Sequence, residues 1–352
     1  MGEKVLMKGN EAIGEAAIQA GCRYYFGYPI TPQSELTAYM AKRLLKMEDA
    51  SFVQAESEIA AINMVYGAAA TGVRSMTSSS SPGISLKQEG ISYIACAELP
   101  CVIVNMQRGG PGLGSIQPGQ ADYFQATKGG GHGDYHLIVF APSSVQELVD
   151  LTMDAFELAD KYKNPAMILG DGLIGQMMES VEFKKRKEND LPSKEGWALT
   201  GCKGRDKHII VPFSLDPYEM EGINLKIKAK YDSIKENEVK YEAVNIENAD
   251  LIVVAYGTVA RIVKTVISNA KKEGINVGLI RPITLFPFPE KIIAKASEKI
   301  NKIFVVEMSM GQMVEDVKLA VNGKAKVDFY GRMGGVIPTQ SEILTEIKKC
   351  LK

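Results

Sequence analysis

Two carboxylates stand at the mouth of an unusually small-faced segment. Glu56 and Glu58 close the run Phe52-Val53-Gln54-Ala55-Glu56-Ser57-Glu58, and a stretch rich in alanine follows, through Gly67 to Gly72. An apolar strand that runs into an acid at a helix start is where α/β proteins place ligands. On a helix, residues two apart point about 200° from each other, so only one of the two acids can face a ligand. A second reactive element is Arg108, which follows the apolar run Cys101–Gln107 and opens the glycine loop Gly109-Gly110-Pro111-Gly112-Leu113-Gly114. A guanidinium at the carboxyl end of a strand can grip a carboxylate with two parallel hydrogen bonds. A third is the serine run Ser78 to Ser81, stopped by Pro82-Gly83.

The elements needed to hold these groups alternate. Helical spacing over 8–21, with Asn10 as the expected N-cap, precedes a strand from Arg23 to Tyr28, which Pro29 and Pro32 stop. A helix from Pro32 to about Lys46, strand Ser51–Gln54, helix Glu56–Thr71, strand Arg74–Ser78 and helix 83–96 follow. The run 101–107 reads as a strand covered on both faces. A strand at 137–141, a helix at 144–162 and a strand at 166–170 complete the series. The expected fold is α/β, a doubly wound parallel sheet. The glycines of 109–114 and of Gly129-Gly130-Gly131-His132-Gly133 imply backbone passing close to a ligand or partner.

Residues 181–245 read as a connecting segment, with the charge run 183–190 solvated. The α/β rhythm resumes over 246–352 with strands near 251–256, 277–280, 303–307 and 326–330. Helices are expected near 258–273, 288–299, 311–321 and 340–351. No short-period repeat is present, which excludes solenoids.

Composition narrows the functions. The 352 residues suggest two domains, and 45% apolar with 24% charged residues is ordinary for a globular protein. Forty-one basic against 42 acidic residues leave a net charge of -1, which argues against nucleic acid as a partner. No apolar run reaches the ~18 residues of a membrane span, and the first residues carry no signal-peptide core or myristoylation pattern, so a cytoplasmic protein is expected. Cys22, Cys96, Cys101, Cys202 and Cys350 form no C-x-x-C pair and read as reduced thiols; with His132, His136 and His208 dispersed, no metal site is expected. The P-loop pattern is absent, and neither of the two glycine clusters follows the G-x-G-x-x-G spacing. Gly170-Asp171-Gly172 matches the opening of the thiamine diphosphate signature, but the Asn-Asn that should follow is missing, and a strand-end cap is the plainer reading of Asp171.

Four motifs in order carry a resemblance: Gly27-Tyr28-Pro29-Ile30-Thr31-Pro32, the Glu56-Ser57-Glu58-Ile59-Ala60-Ala61 stretch, the turn Thr77 to Gly83, and Met106-Gln107-Arg108-Gly109-Gly110-Pro111. Together they resemble the α subunit of the 2-oxoacid:ferredoxin oxidoreductases, with the 2-oxoisovalerate (3-methyl-2-oxobutanoate) branch nearest. The resemblance implies a pyrimidine-binding domain of thiamine diphosphate enzymes over 1–180 and a smaller transketolase C-terminal-like domain over 246–352. It places on Glu58 the glutamate that hydrogen-bonds the aminopyrimidine ring and promotes loss of the thiazolium C2 proton. Such a carboxyl needs an apolar site that raises its pKa. Glu56 is then expected at the first helical turn, complementing the dipole.

The resemblance also implies cofactor contacts from Pro29, Ile30, Ser80 and Ser81, and substrate contacts from Thr31 and Arg108. The plainer alternatives are a helix cap for Thr31 and a loop-tying salt bridge for Arg108. Which of Ser78 to Ser81 contacts the cofactor stays open. Gly67 and the alanines after Glu58 would let a second subunit or helix approach closely. The missing diphosphate half implies a β subunit carrying thiamine diphosphate, Mg2+ and a [4Fe-4S] cluster, with γ and ferredoxin-like δ subunits. The implied reaction joins a 2-oxoacid and coenzyme A, with ferredoxin as acceptor, to give acyl-CoA and carbon dioxide. Alternatives are a 2-oxoglutarate- or pyruvate-specific member, a lipoamide-linked dehydrogenase E1 subunit, and a non-catalytic assembly subunit.

Overall fold

The computed structural model describes residues 4–183 and 192–352. Beyond Phe183, the charge run falls outside them. Short apolar runs separated by helices form a seven-stranded sheet, six of whose strands are parallel. They are β2 (Tyr24–Gly27), β3 (Ser51–Gln54), β4 (Ser75–Ser79), β5 (Val102–Gln107), β6 (Ile138–Phe140) and β7 (Ala166–Asp171), in the order β6-β7-β5-β4-β2-β3. Every residue of β4, β5 and β7 is buried, as a sheet covered on both faces requires. The helices that cover it include α1 (Gly9–Gln19), α2 (Ser34–Leu44), α3 (Glu58–Ala70), α4 (Ser81–Cys96) and α6 (Val145–Tyr162). Lys8, not Asn10, is the N-cap of α1; the Asn10 amide instead donates to the Pro32 carbonyl at 2.8 Å and ties α1 to the loop before α2.

Because the strands are parallel, their carboxyl ends share one edge. Loops leaving β2, β3, β4, β5 and β7 therefore bring Thr31, Glu58, Ser80, Arg108 and Asp171 to that edge. The short helices α5 (Tyr123–Thr127) and α7 (Gly172–Gln176) lie on loops of the same edge.

The second sheet orders β14 (Lys326–Gly331), β13 (Lys302–Glu307), β10 (Leu251–Val254), β11 (Val277–Pro282) and β9 (Tyr241–Val244). Helices α9 (Gly257–Lys272), α10 (Glu290–Ser297), α11 (Met313–Val321) and α12 (Gln340–Leu351) flank it. Its edge strand β9 pairs antiparallel with β11. The three-residue strand β12 (Thr284–Phe286) leaves this half and adds antiparallel to β6, extending the first sheet. Buried Arg281 fastens the halves, its guanidinium bonded to Glu147 at 2.7 and 2.8 Å and to Glu242 at 2.8 Å. Gln120 does the same through Met308 and the Tyr256 carbonyl.

Like β9 and β12, two further features differ from expectation. β1 (Lys4–Lys8) and β8 (Met178–Glu182) make a separate antiparallel pair that closes over α1 and α6. The segment read as periodless holds a long helix, α8 (Pro217–Asn237), capped by Asp216 and anchored by buried Ile227, Tyr231 and Ile234. Its Tyr231 packs edge-on against Phe286 and His136, so it joins the two halves by packing.

Candidate active site

Ser57 starts α3: its backbone is extended and its hydroxyl accepts from the Ala60 amide at 3.2 Å. The helix begins at Glu58, and Glu56 stays in the preceding loop, exposed, accepting from the Ser57 hydroxyl. The expected first-turn position of Glu56 is therefore taken by Glu58 itself, because the cap falls one residue after Glu56. Glu58 is 6% exposed and its carboxyl faces α4. A Cβ on Gly83 would stand 2.7 Å from Glu58 Oε1 and 2.1 Å from Ser79 Oγ. Only glycine at 83 allows that approach.

The serine run divides by strand alternation. Ser78 points to the far face, where it donates to Gln33 Oε1 at 2.5 Å and lies 2.6 Å from the Tyr25 hydroxyl. Ser81 is used internally: its hydroxyl donates to Asp122 at 2.6 Å and accepts from the Arg108 amide at 3.1 Å. Burial raises the Asp122 carboxyl pKa, against the hydrogen bonds from Ser81 and Asn105. Ser79 and Ser80 remain: both hydroxyls are buried without a partner among the described residues. Ser79 was not singled out from sequence, although the period of a strand puts it on the face of Thr77 and Glu58.

Arg108 is buried. It donates to the Thr31 carbonyl at 2.9 Å and the Leu113 carbonyl at 2.6 Å, while its Nε has no partner among the described residues. Among the described residues no carboxylate pairs with it, so the loop-tying salt bridge is absent; two carbonyls hold the loop instead. A buried guanidinium without a counter-ion suits an anionic ligand. Thr31 is thus brought to Arg108 by its own carbonyl, with its side chain exposed; it does not cap α2, whose N-cap is Gln33. Pro29 and Ile30 precede it on the same loop, exposed and half-buried. Gln33 has a buried amide nitrogen without a partner among the described residues, and sequence reasoning missed it.

The remaining expected features each find a place in the structure. Asp171 caps α7, accepting from Leu173 and Ile174 amides at 2.9 and 3.2 Å, as the strand-end reading had it. Gly130 and Gly131 press on Gln88 and Ser92 of α4, so packing within the chain accounts for the close backbone there. Gly67 is exposed with open space beside it; the close helix approach is made by Gly90 of α4 against Ile62 of α3. One residue escaped notice altogether. Lys87 of α4 is fully buried, its ammonium 3.1 Å from Thr77 Oγ1 and 3.4 Å from the Glu58 carbonyl. Desolvation lowers its pKa to about 8, opposed by the charge of Glu58.

A buried carboxyl with the unpaired Ser79 hydroxyl near it and the unpaired Ser80 hydroxyl next in the chain, with an unpaired amide and guanidinium nitrogen on neighbouring loops, fits a polar heterocycle with an anionic substrate. The described residues contain no group of three His, Cys, Asp or Glu that could hold a metal, and no helix long and apolar enough to cross a membrane.

Residues 15–242 match the family described as pyruvate flavodoxin/ferredoxin oxidoreductase, thiamine diP-bdg, and residues 249–343 match pyruvate:ferredoxin oxidoreductase core domain II. The chain belongs to the 2-oxoacid:ferredoxin oxidoreductases. It is 52% identical over 344 residues to ketoisovalerate oxidoreductase subunit VorB of Methanothermobacter marburgensis, covering 98% of this chain and 97% of that one. It is 38% identical over 377 residues to 2-oxoglutarate synthase subunit KorA of Methanothermobacter thermautotrophicus, covering 99% of each. Among solved structures, 2-oxoglutarate:ferredoxin oxidoreductase from Magnetococcus marinus, with 2-oxoglutarate, coenzyme A and succinyl-CoA bound, superposes with a TM-score of 0.87 at 27% identity; the match covers 100% of this chain and 66% of that one. A split-gene transketolase at 14% identity and TM-score 0.61, covering 98% of each chain, shares the fold. This family member is one subunit of a thiamine diphosphate-dependent enzyme that works as a complex. Membership sets aside the lipoamide-linked E1 alternative.

Proposed function

We propose that this chain is the α subunit of a branched-chain 2-oxoacid:ferredoxin oxidoreductase, which converts 2-oxoisovalerate and coenzyme A to the acyl-CoA, carbon dioxide and reduced ferredoxin. The observation that carries the chemistry is buried Glu58, capped into place by Ser57 and faced by Gly83 and unpaired Ser79. The near full-length likeness to ketoisovalerate oxidoreductase subunits supports the substrate. Thiamine diphosphate, when bound, supplies the nucleophilic carbon and the electron sink.

This chain's residues bind and orient around it. Glu58 holds the proton exchanged with the aminopyrimidine ring nitrogen, in a site dry enough to keep that hydrogen bond strong. Pro29 and Ile30 supply one wall and Ser80 a hydroxyl; Ser81 positions Arg108 through the Arg108 amide instead of reaching the cofactor directly. Arg108 and the Thr31 hydroxyl take the 2-oxoacid carboxylate. The domains are proposed as 1–180 and 246–352 with 181–245 between them. The β subunit is proposed to hold the diphosphate with Mg2+ and the [4Fe-4S] cluster, with γ and δ subunits completing electron transfer to ferredoxin, in the cytoplasm.

Co-purification with the β subunit and the remaining subunits tests this. The complex should turn over 2-oxoisovalerate faster than 2-oxoglutarate or pyruvate, and Glu58→Ala should abolish coenzyme A-dependent acceptor reduction. Preference for 2-oxoglutarate would move the chain to the second substrate class. Unchanged kinetics in Glu58→Ala would favour a non-catalytic assembly role.

A further inference from the structure

A lysine in the middle of a helix is ordinarily a solvated residue, because desolvating an ammonium is costly. Lys87 departs from that completely: no part of it is exposed. The helix it sits on explains how it enters. Gly83, Lys87 and Gly90 follow one another at helical spacing along the face of α4 that meets α3, and both glycines lie in contact too close for a side chain, against Glu58 with Ser79 and against Ile62. The two helices are thus drawn together above and below Lys87, and its stem runs between them to the first turn of α3. There its Nζ finds the Glu58 carbonyl and the Thr77 hydroxyl.

That place is electrostatically poor for a cation. The first turn of a helix carries the positive end of the backbone dipole, and Lys87 adds a charge to it. An apolar residue of similar volume would serve the packing better. Among the described residues, the carboxyl of Glu58 is the one ionisable group whose charge acts on it. β4 presents the Thr77 hydroxyl, β5 offers only Val, Ile, Asn, Met and Gln side chains, and Tyr135 from the second glycine loop reaches Gln88 instead. A locally unfavourable choice next to a reactive group marks a functional constraint.

We propose that Lys87 is a positioning residue for Glu58: it clamps the first turn of α3 by the Glu58 carbonyl, and the charge it holds in that enclosed space acts on the Glu58 carboxyl. The proposal rests on the reading that Glu58 exchanges a proton with the cofactor. Its consequence is directional. A charged side chain at 87 favours the charged form of a carboxyl near it, and a neutral one withdraws that bias. The depressed pKa of Lys87, about 8, lets the cation itself be lost at moderately alkaline pH.

The test uses the assembled complex with Lys87→Met, Lys87→Gln and Lys87→Arg. Two quantities are followed against pH: thiamine diphosphate affinity by calorimetry in the presence of magnesium and without substrate, and kcat/KM. The limb that disappears in Glu58→Gln should move up by about one pH unit in both neutral variants, and stay in place in Lys87→Arg. Lys87→Gln keeps a donor to the Glu58 carbonyl and Thr77, so a shift there comes from charge and not from the lost strut. An unmoved limb in Lys87→Gln, with only a uniform fall in kcat or in thermal midpoint, would overturn the proposal while leaving the role of Glu58 intact. Full activity in Glu58→Gln would remove both.

Discussion

Arg108 offers a sharp separation between holding a loop and holding a substrate. Its Nη1 and Nη2 already donate to the Thr31 and Leu113 carbonyls, and its Nε is free, so the fork still has donors to aim at a carboxylate. A hydrogen bond to a charged group contributes about 1.5–3 kcal/mol. Arg108→Lys keeps the charge and loses one arm of the grip, a loss of about 2 kcal/mol, or roughly 30-fold in kcat/KM for the 2-oxoacid. Arg108→Met loses both arms, about 4 kcal/mol or roughly 1000-fold. The lost carbonyl bonds cost stability as well, about 1 kcal/mol each. Steady-state kinetics of the complex with saturating coenzyme A, read beside thermal midpoints, distinguish the two roles. A kcat/KM within threefold of wild type in Arg108→Lys, accompanied by a lowered midpoint, would refute the substrate role and leave a loop tie.

Three further expectations follow from the same geometry. Gly83→Ala places a methyl 2.7 Å from Glu58 Oε1 and 2.1 Å from Ser79 Oγ, so thiamine diphosphate affinity by calorimetry should fall by at least about tenfold and the thermal midpoint should drop; unchanged affinity would disconnect α4 from the site. Burial pushes the Cys22 and Cys101 thiols up to about 12, so both stay protonated at pH 8 and should resist iodoacetamide in the native chain, while exposed Cys202 is alkylated; mass mapping checks the order. The Lys87 pKa is lowered from 10.5 to about 8, so the unfolded chain binds more protons between those values, and this residue's contribution to stability rises with pH across that window. The change in denaturant midpoint from pH 7.5 to pH 10 should therefore be less positive, or more negative, in Lys87→Met than in wild type.

Local signals made the first half of the fold readable because its parallel strands are short apolar runs bounded by proline, glycine and serine. Val102–Gln107, ending on Arg108, stands out in this way. The site was readable where a motif coincides with an element boundary: Glu58 behind its Ser57 cap, Arg108 behind β5. What escaped depends on distant partners. Lys4–Lys8 is a strand only because Met178–Glu182 lies beside it, and Thr284–Phe286 only because β6 does. α8 is a different case: Pro217 behind Asp216 and the spacing of Ile223, Ile227, Tyr231 and Ile234 are a legible helix signal, diluted by the lysines between them. Lys87 was illegible because nothing in a helical pattern separates a lysine that meets solvent from one enclosed between two glycine contacts.

The most direct measurement is on Glu58→Gln in the reconstituted complex, a change that keeps the size of the side chain and removes its ability to exchange a proton. Thiamine diphosphate should still bind, since the shape of the Gly83 cradle is preserved, while coenzyme A-dependent acceptor reduction with 2-oxoisovalerate should fall by roughly 100-fold or more, the scale of a lost general acid–base group. Acceptor reduction within a few-fold of wild type, with the complex intact and the cofactor bound, would contradict the claim that this chain supplies the activating carboxyl.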